Sequence, residues 1–183
     1  MPDPWHRRTS DPVFTSPWVS VHRNRYALPT GVAIDDFYVV SEPPGVTIVA
    51  VTPGGEVILV EQYRAAVDCV ALELPAGYIS EGTSPLEQAR RELREESGYL
   101  SDRWHEIATL SPSPHRMAKV ETVFLALGAE PRDAIDLDAT EDLNIKLLPM
   151  DEASPALLAS PQACAVCVAA LYIAREALRV MQE

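Results

Sequence analysis

The chain has no apolar stretch long enough to cross a bilayer. Its longest unbroken apolar run extends only from Ala163 to Ala174, whereas a spanning helix needs about twenty residues. The first residues, Met1-Pro2-Asp3-Pro4-Trp5-His6-Arg7-Arg8, lack the apolar core of a secretory signal, so a soluble, cytoplasmic protein is expected. Cysteine is scarce: Cys69, Cys164 and Cys167 are an odd number that cannot close into a disulfide framework. The Cys164-x-x-Cys167 pair sits inside an apolar helical pattern and has no partner at zinc-like spacing. It reads as two small core residues of a reduced chain. Basic charge is short as well, with 15 Lys and Arg against 27 Asp and Glu and a formal net charge of −12. No Lys/Arg run exists to build a basic patch from sequence neighbours, which disfavours binding to a nucleic-acid polymer. A small anion would need metal ions to bridge it to these carboxylates. His6, His22 and His105 show no metal spacing. The chain also lacks a GxxxxGK[ST] phosphate loop and a GxSxG elbow, so nucleotide-motor and serine-hydrolase readings lose their central residues.

What remains is the composition of an ordinary globular domain. At 183 residues, 47% of them apolar and 23% charged, the chain is long enough for about one domain with a sizeable core. Pro2, Pro4, Pro12 and Pro17 make the first dozen residues an irregular arm by expectation. Strand-like runs follow at Trp18 to Tyr26, Asp36 to Val40 and Val46 to Thr52. Pro53-Gly54-Gly55 turns the chain into Val57 to Val60, a hairpin signal. Val70 to Leu74, Trp104 to Leu110, Val120 to Leu127 and Leu143 to Leu148 add further strands. Ser84-Pro85-Leu86-Glu87 is a capping box with proline at the first helical position, and Gly98 is a natural terminator. Leu86, Ala89 and Leu93 give that helix its apolar face. A second helix is expected from about Gln162 to Met181, after a short helical turn near Leu157. Strands, a helix, more strands and a terminal helix predict an α+β fold with a mixed β-sheet between helices.

The candidate chemistry lies on the first helix. Glu92 and Glu96 stand four residues apart with Glu95 beside them, a face read as opposite Leu93 and open to solvent or metal. Crowded carboxylates of this kind are either a solvated acidic face balanced by Arg90, Arg91 and Arg94 or a seat for a hard divalent cation. The surrounding stretch from Gly77 to Gly98 resembles the Nudix box, G-x5-E-x7-R-E-U-x-E-E-x-G-U, with U aliphatic. Gly77, Arg91, Glu92, Leu93, Glu95, Glu96 and Gly98 match. Thr83 stands where the first glutamate belongs, and Tyr99 fills the last aliphatic place. Val60-Glu61-Gln62-Tyr63-Arg64 and Glu73-Leu74-Pro75-Ala76-Gly77 look like the ADP-ribose pyrophosphatase branch of that family.

The resemblance implies a Nudix-type α/β/α sandwich preceded by an N-terminal β segment. Residues 1–45 would then be an arm and dimerisation region, and 46–183 the hydrolase domain. It also implies a metal site of Glu92, Glu96, the Ala76 carbonyl and Glu95, taking Mg2+ with Mn2+ as a possible substitute. Arg91 would orient the glutamates. Arg64 would contact the substrate's phosphates or ribose, and Phe37 or Tyr38 would stack on its base. A second acidic stretch, Asp133, Asp136, Asp138, Glu141 and Asp142, fails as an EF-hand loop, because Glu141 and Leu147 occupy its required glycine and glutamate places. Thr140-Glu141-Asp142-Leu143 resembles the family segment that supplies the catalytic base, with Glu141 in that role and Asp142 as the alternative. Ser111-Pro112-Ser113-Pro114 resembles a family loop, but His115-Arg116 follows where glycine is usual. The implied activity is Mg-dependent hydrolysis of a nucleoside diphosphate sugar, ADP-ribose above all, by a homodimer. The alternatives are another nucleotide sugar or dinucleotide, or a module that binds a nucleotide sugar without cleaving it.

Overall fold

A computed structural model describes residues 1–137 and 139–181. In chain order its strands are β1 (His6–Thr15), β2 (Ser20–Ala27), β3 (Ala33–Ser41), β4 (Gly45–Val51), β5 (Glu56–Arg64), β6 (Cys69–Glu73), β7 (Ala76–Tyr78), β8 (Tyr99–Leu100), β9 (Arg103–Leu110), β10 (Met117–Ala118), β11 (Glu121–Leu127), β12 (Glu130–Pro131) and β13 (Leu143–Pro149). The helices are α1 (Pro85–Ser97), α2 (Met150–Ala159) and α3 (Ala165–Met181). Among the described residues no helix is long and apolar enough to cross a membrane.

Contacts divide the chain into two compact units, residues 1–44 with 111–120 and residues 45–110 with 121–183. The first unit is a four-stranded sheet in the order β1-β2-β3-β10. The arm expected over the first dozen residues is therefore corrected: from His6 onward it is strand β1, paired antiparallel with β2 along its whole length. Proline does not prevent this, because β1 is an edge strand whose outer side needs no donor. The register shifts between Pro12 and Phe14.

The second unit is built on a seven-stranded mixed sheet with the path β13-β5-β4-β11-β9, to which β6 adds beside β5 and β7 beside β4. β4 and β11 run parallel, and the remaining pairs are antiparallel. Period-2 alternation sends the side chains of β4 to two faces. Val46, Ile48 and Ala50 pack with Ala89 and Leu93 of α1, while Val49 and Val51 pack with Leu157 of α2 and Leu171 and Ala174 of α3. The result is an α/β/α sandwich. Strands buried on both faces read as the near-continuous apolar runs seen at Val46–Val51 and Val57–Val60.

Two helical expectations shift. The turn near Leu157 is a full helix despite Pro155 within it. The last helix begins at Ala165 rather than Gln162, which has a left-handed φ of 51° that no helix can continue. Cys164 therefore precedes α3 instead of lying inside it.

Helix α1 is held at both ends by its own sequence. Ser84 Oγ accepts the Glu87 N–H, and a Glu87 carboxylate oxygen accepts the Ser84 N–H in return. Gly98, at φ 70°, donates its N–H to the Arg94 carbonyl. A Cβ on Gly98 would also collide with the Asp133 carbonyl. Gly98→Ala is expected to cost at least about 1–2 kcal/mol, the penalty of a left-handed residue alone. Urea unfolding checks this, and an unchanged midpoint would show that the α1 terminus does not need glycine.

Candidate active site

Helix α1 turns its carboxylates toward the sheet. Glu96 is only 4% exposed, which corrects the expectation of a solvent-facing residue. The reason is geometric: Glu96 is the i+3 neighbour of Leu93 and so lies beside the apolar stripe, not opposite it. Strand β7 passes beneath, and the Ala76 N–H donates to Glu96 Oε2 at 3.3 Å. Next to it, a Cβ on Gly77 would occupy the space of the Glu92 carboxylate. Glycine is required there by close approach, not by backbone angle.

Taking carboxylates out of water favours their neutral form. Glu96 is pushed up to about 8, mainly by burial and then by the negative charges of Glu92 and Glu141; the Ala76 N–H and the Arg64 guanidinium pull weakly the other way. Glu92 is raised too, by burial first, against the Gln88 hydrogen bond and the Arg91 charge, with Glu95 and Glu141 adding repulsion. Glu141, far away in sequence, thus lies within electrostatic reach of both helix carboxylates. Antiparallel pairing explains how: Leu143 at the start of β13 stands opposite Gln62 near the end of β5, so the chain leading into β13 arrives beside the end of β5 that carries Arg64.

The other expected residues are placed as follows. Glu95 is held by Arg94 at 2.7 Å and by Arg91 at 3.8 Å. Arg64 donates through Nε and Nη2 to Glu73 Oε2 at 2.7 and 2.5 Å, so its guanidinium is anchored at the margin of the acidic cluster. Asp142 is exposed. Asp133 pairs with Arg94 at 3.5 Å, the Asp136 N–H donates to the Glu95 carbonyl at 2.9 Å, and Asp138 lies outside the described residues. Phe37 belongs to the first unit, half-buried edge-to-face against Tyr26 and Trp5 at 5.5 and 6.1 Å, with the Arg116 guanidinium 5.4 Å from its ring. Tyr38 points the other way and is exposed. His115 lies 3.4 Å from the Ser113 hydroxyl of its own loop.

Sequence reasoning missed Gln88. It is fully buried, donates to Glu92 Oε1, and accepts from the Ser80 N–H at 3.2 Å and Arg91 Nη2 at 2.9 Å. Its position one turn before Glu92 was the available signal.

Among the described residues no three His, Cys, Asp or Glu side chains form a ready metal cage. The donor set nonetheless fits a hard cation. It is all oxygen, two of its carboxylates repel each other out of water, and magnesium commonly binds through one or two carboxylates and leaves its other positions to phosphate. A separate surface hollow of about 310 Å³, lined by Arg90, Leu100, Trp104 and Arg132 among others, includes none of these carboxylates.

Residues 41–167 match the NUDIX domain family, and the chain belongs to that family. It is 31% identical over 116 residues to the methanol dehydrogenase activator of Bacillus methanolicus, covering 63% of each chain. It is 32% identical over 114 residues to an ADP-ribose pyrophosphatase of Bacillus subtilis (strain 168), covering 62% of this chain and 61% of that one. An ADP-ribose pyrophosphatase of Mycobacterium tuberculosis is 32% identical over 121 residues, with 66% and 58% covered. The match thus spans roughly three fifths of these relatives' own lengths. The crystal structure of an ADP compounds hydrolase shares the fold, with a TM-score of 0.84 at 24% identity over 99% of this chain and 97% of that one.

The raised Glu96 pKa gives the metal-free protein an unusual pH dependence. The folded chain keeps this proton to about pH 8, while the unfolded chain releases it near 4.5. Between those values the unfolded state binds fewer protons, so stability falls as pH rises. The loss is expected to reach at most roughly 5 kcal/mol. Thermal melts in chelator from pH 5 to 8.5 should show it, and Glu96→Gln should flatten the profile. A wild-type profile that rises across that window would contradict the buried carboxylate.

Proposed function

We propose that this chain is a divalent-metal-dependent Nudix pyrophosphohydrolase acting on a nucleoside diphosphate linked to a sugar, with ADP-ribose as the foremost substrate and AMP and ribose 5-phosphate as products. The observation that carries the reading is the buried Glu96 with Glu92 beside it and Glu141 brought within electrostatic reach from a distant loop. The ADP-ribose pyrophosphatases among its relatives support the substrate class.

Glu92, Glu96 and the Ala76 carbonyl would hold magnesium or manganese, with Glu95 as a further ligand once released from Arg94. Bound there, the metal supplies positive charge that neutralises a diphosphate and makes water easier to deprotonate. The residues themselves divide the remaining work. Gln88 fixes Glu92 through its Nε2, Arg91 steadies Gln88 and Glu95, and Gly77 leaves the carboxylates their space. Arg64, aligned by Glu73, presents its remaining N–H groups to phosphate or ribose oxygens. Phe37 is the proposed surface for the base. Glu141, on a loop end rather than a rigid helix, takes the proton of the attacking water at its carboxylate oxygen. The net charge of −12 means that an anionic substrate depends on the cation for entry.

ADP-ribose hydrolysis with and without magnesium tests the assignment directly. Glu141→Gln is expected to lower kcat by at least about a hundredfold while KM changes little, and Asp142→Asn to be much milder. Near-normal kcat in Glu141→Gln with a large loss in Asp142→Asn would move the base to Asp142. Absence of metal-dependent release from any nucleoside diphosphate would leave a binding module instead.

We further propose a cytoplasmic homodimer with residues 1–45 as the dimerisation region and 46–183 as the hydrolase domain. Three cysteines, an odd number that makes no disulfide framework, support a reducing compartment. In the first unit Trp5, Val13, Phe14 and Trp18 are all exposed, more apolar surface than an edge ribbon usually shows water. Light scattering is expected to give twice the 20.1 kDa chain mass, and the monomer mass at assay concentration would overturn the dimer.

A further inference from the structure

The two cysteines at the start of α3 are placed differently from ordinary core residues. Cys164 is half-buried and stands at the helix N-cap. Its Sγ accepts the Cys167 N–H at 3.4 Å and its carbonyl accepts the Val168 N–H at 3.0 Å. Cys167, three residues further on, is buried. The i, i+3 spacing at the start of a helix puts both sulfurs on one side of its first turn, one half-buried and the other buried. Cys167 Sγ also accepts the Leu74 N–H at 3.5 Å, while Ser160 Oγ takes the Leu72 N–H at 2.8 Å. These two contacts close the outer edge of β6.

We infer that Cys164 and Cys167 form a reversible dithiol–disulfide pair that reacts with small-molecule disulfides, and that its state is felt along the Glu73–Ala76 segment. Cys164 is the attacking group. A helix start favours negative charge on it, and the hydrogen bond from the Cys167 thiol draws its pKa down while that of Cys167 is pushed up. The Glu73 charge opposes ionisation of both. The Cys164 thiolate attacks one sulfur of RSSR, breaking that bond and expelling RS⁻. Cys167 then loses its proton and attacks Cys164 Sγ, releasing the second RS⁻. The two cysteines are oxidised by two electrons, and RSSR is reduced to two RSH that carry the two cysteine protons.

Closure draws Cys167 Sγ toward Cys164 and away from the Leu74 N–H. That N–H sits between Glu73, which anchors Arg64, and Ala76, whose N–H meets Glu96. The chemistry of the pair is independent of the proposed hydrolase activity; only its consequence for turnover rests on that reading.

The test treats the 183-residue chain with oxidised glutathione, traps free thiols by alkylation and reads peptide masses. The expected product is a 164–167 peptide lacking two hydrogens, carrying no glutathione and restored by dithiothreitol. Cys167→Ser should keep one glutathione on Cys164, and Cys164→Ser should slow the reaction at Cys167 at least about tenfold. A stable adduct on Cys164 in the native chain, a bond to Cys69, or no reaction overturns the pair. Hydrogen exchange at the Leu74 amide should quicken at least about tenfold on oxidation, and unchanged exchange refutes transmission to the strand. If the pair closes as described and the reduced chain hydrolyses no nucleotide, the hydrolase reading fails while this inference stands.

Discussion

Glu96 occupies a position where a carboxylate is costly. It lies beside the apolar stripe of α1, against a strand, with Glu92 next to it and Glu141 in electrostatic reach. A leucine there would fold more readily. Without a metal the carboxyl can hold a proton or lean on the Ala76 N–H, and both are weak substitutes for a cation. Everything near it is shaped by that constraint. Gly77 must lack a side chain, Gln88 must be buried to fix Glu92, and Arg91 must bond to Gln88 and Ser80 rather than lie loose on the surface.

The short chain segment from Glu73 to Gly77 is where these demands converge. Within a single turn of chain it anchors Arg64, receives support from Cys167 at Leu74, offers the Ala76 N–H to Glu96 and makes room for Glu92. It does so as the chain passes from β6, paired with β5, to β7, paired with β4, with the Pro75 carbonyl taking the Ile48 N–H at 2.9 Å. A segment tied on both sides has little freedom to shift one contact without moving another, which is why a change at the start of α3 can reach the acidic cluster without touching it.

Much of this is readable from residues alone. The bounds of α1 follow from Ser84, Pro85 and Gly98, and the mixed sheet from strands whose apolar runs are too short for helices. The pattern Gly77 to Gly98 carries the family. What escapes is information about faces and partners. Charge suggests solvent for Glu96, although its spacing from Leu93 and Ala89 already puts it on the buried side. Gln88 looks like one more polar residue on a surface helix, since nothing in composition says that a glutamine is buried. β1 is hidden by Pro12 within it and the prolines around it, whose effect depends on whether a strand lies at an edge. The two-residue strand Met117–Ala118, which ties residues 111–120 to the first unit, is too short to have any periodicity.

The division of α1 into faces also explains why its arginines do not simply neutralise its glutamates. Arg94 and Arg91 reach Glu95 on the half-exposed side, and Arg91 also bonds to Gln88 and Ser80. Among the described residues none of the helix arginines makes an ion pair with Glu96, whose cationic support is the weak pull of Arg64 from β5. Had an arginine on the same helix reached inward, the buried pair would have offset much of the repulsion and lowered the Glu96 pKa. Its charge would then have competed with any cation for the same oxygens. Keeping the ion pairs of the helix arginines on the outer carboxylate leaves Glu96 short of positive charge, and that unmet demand is the physical basis of the proposed metal site.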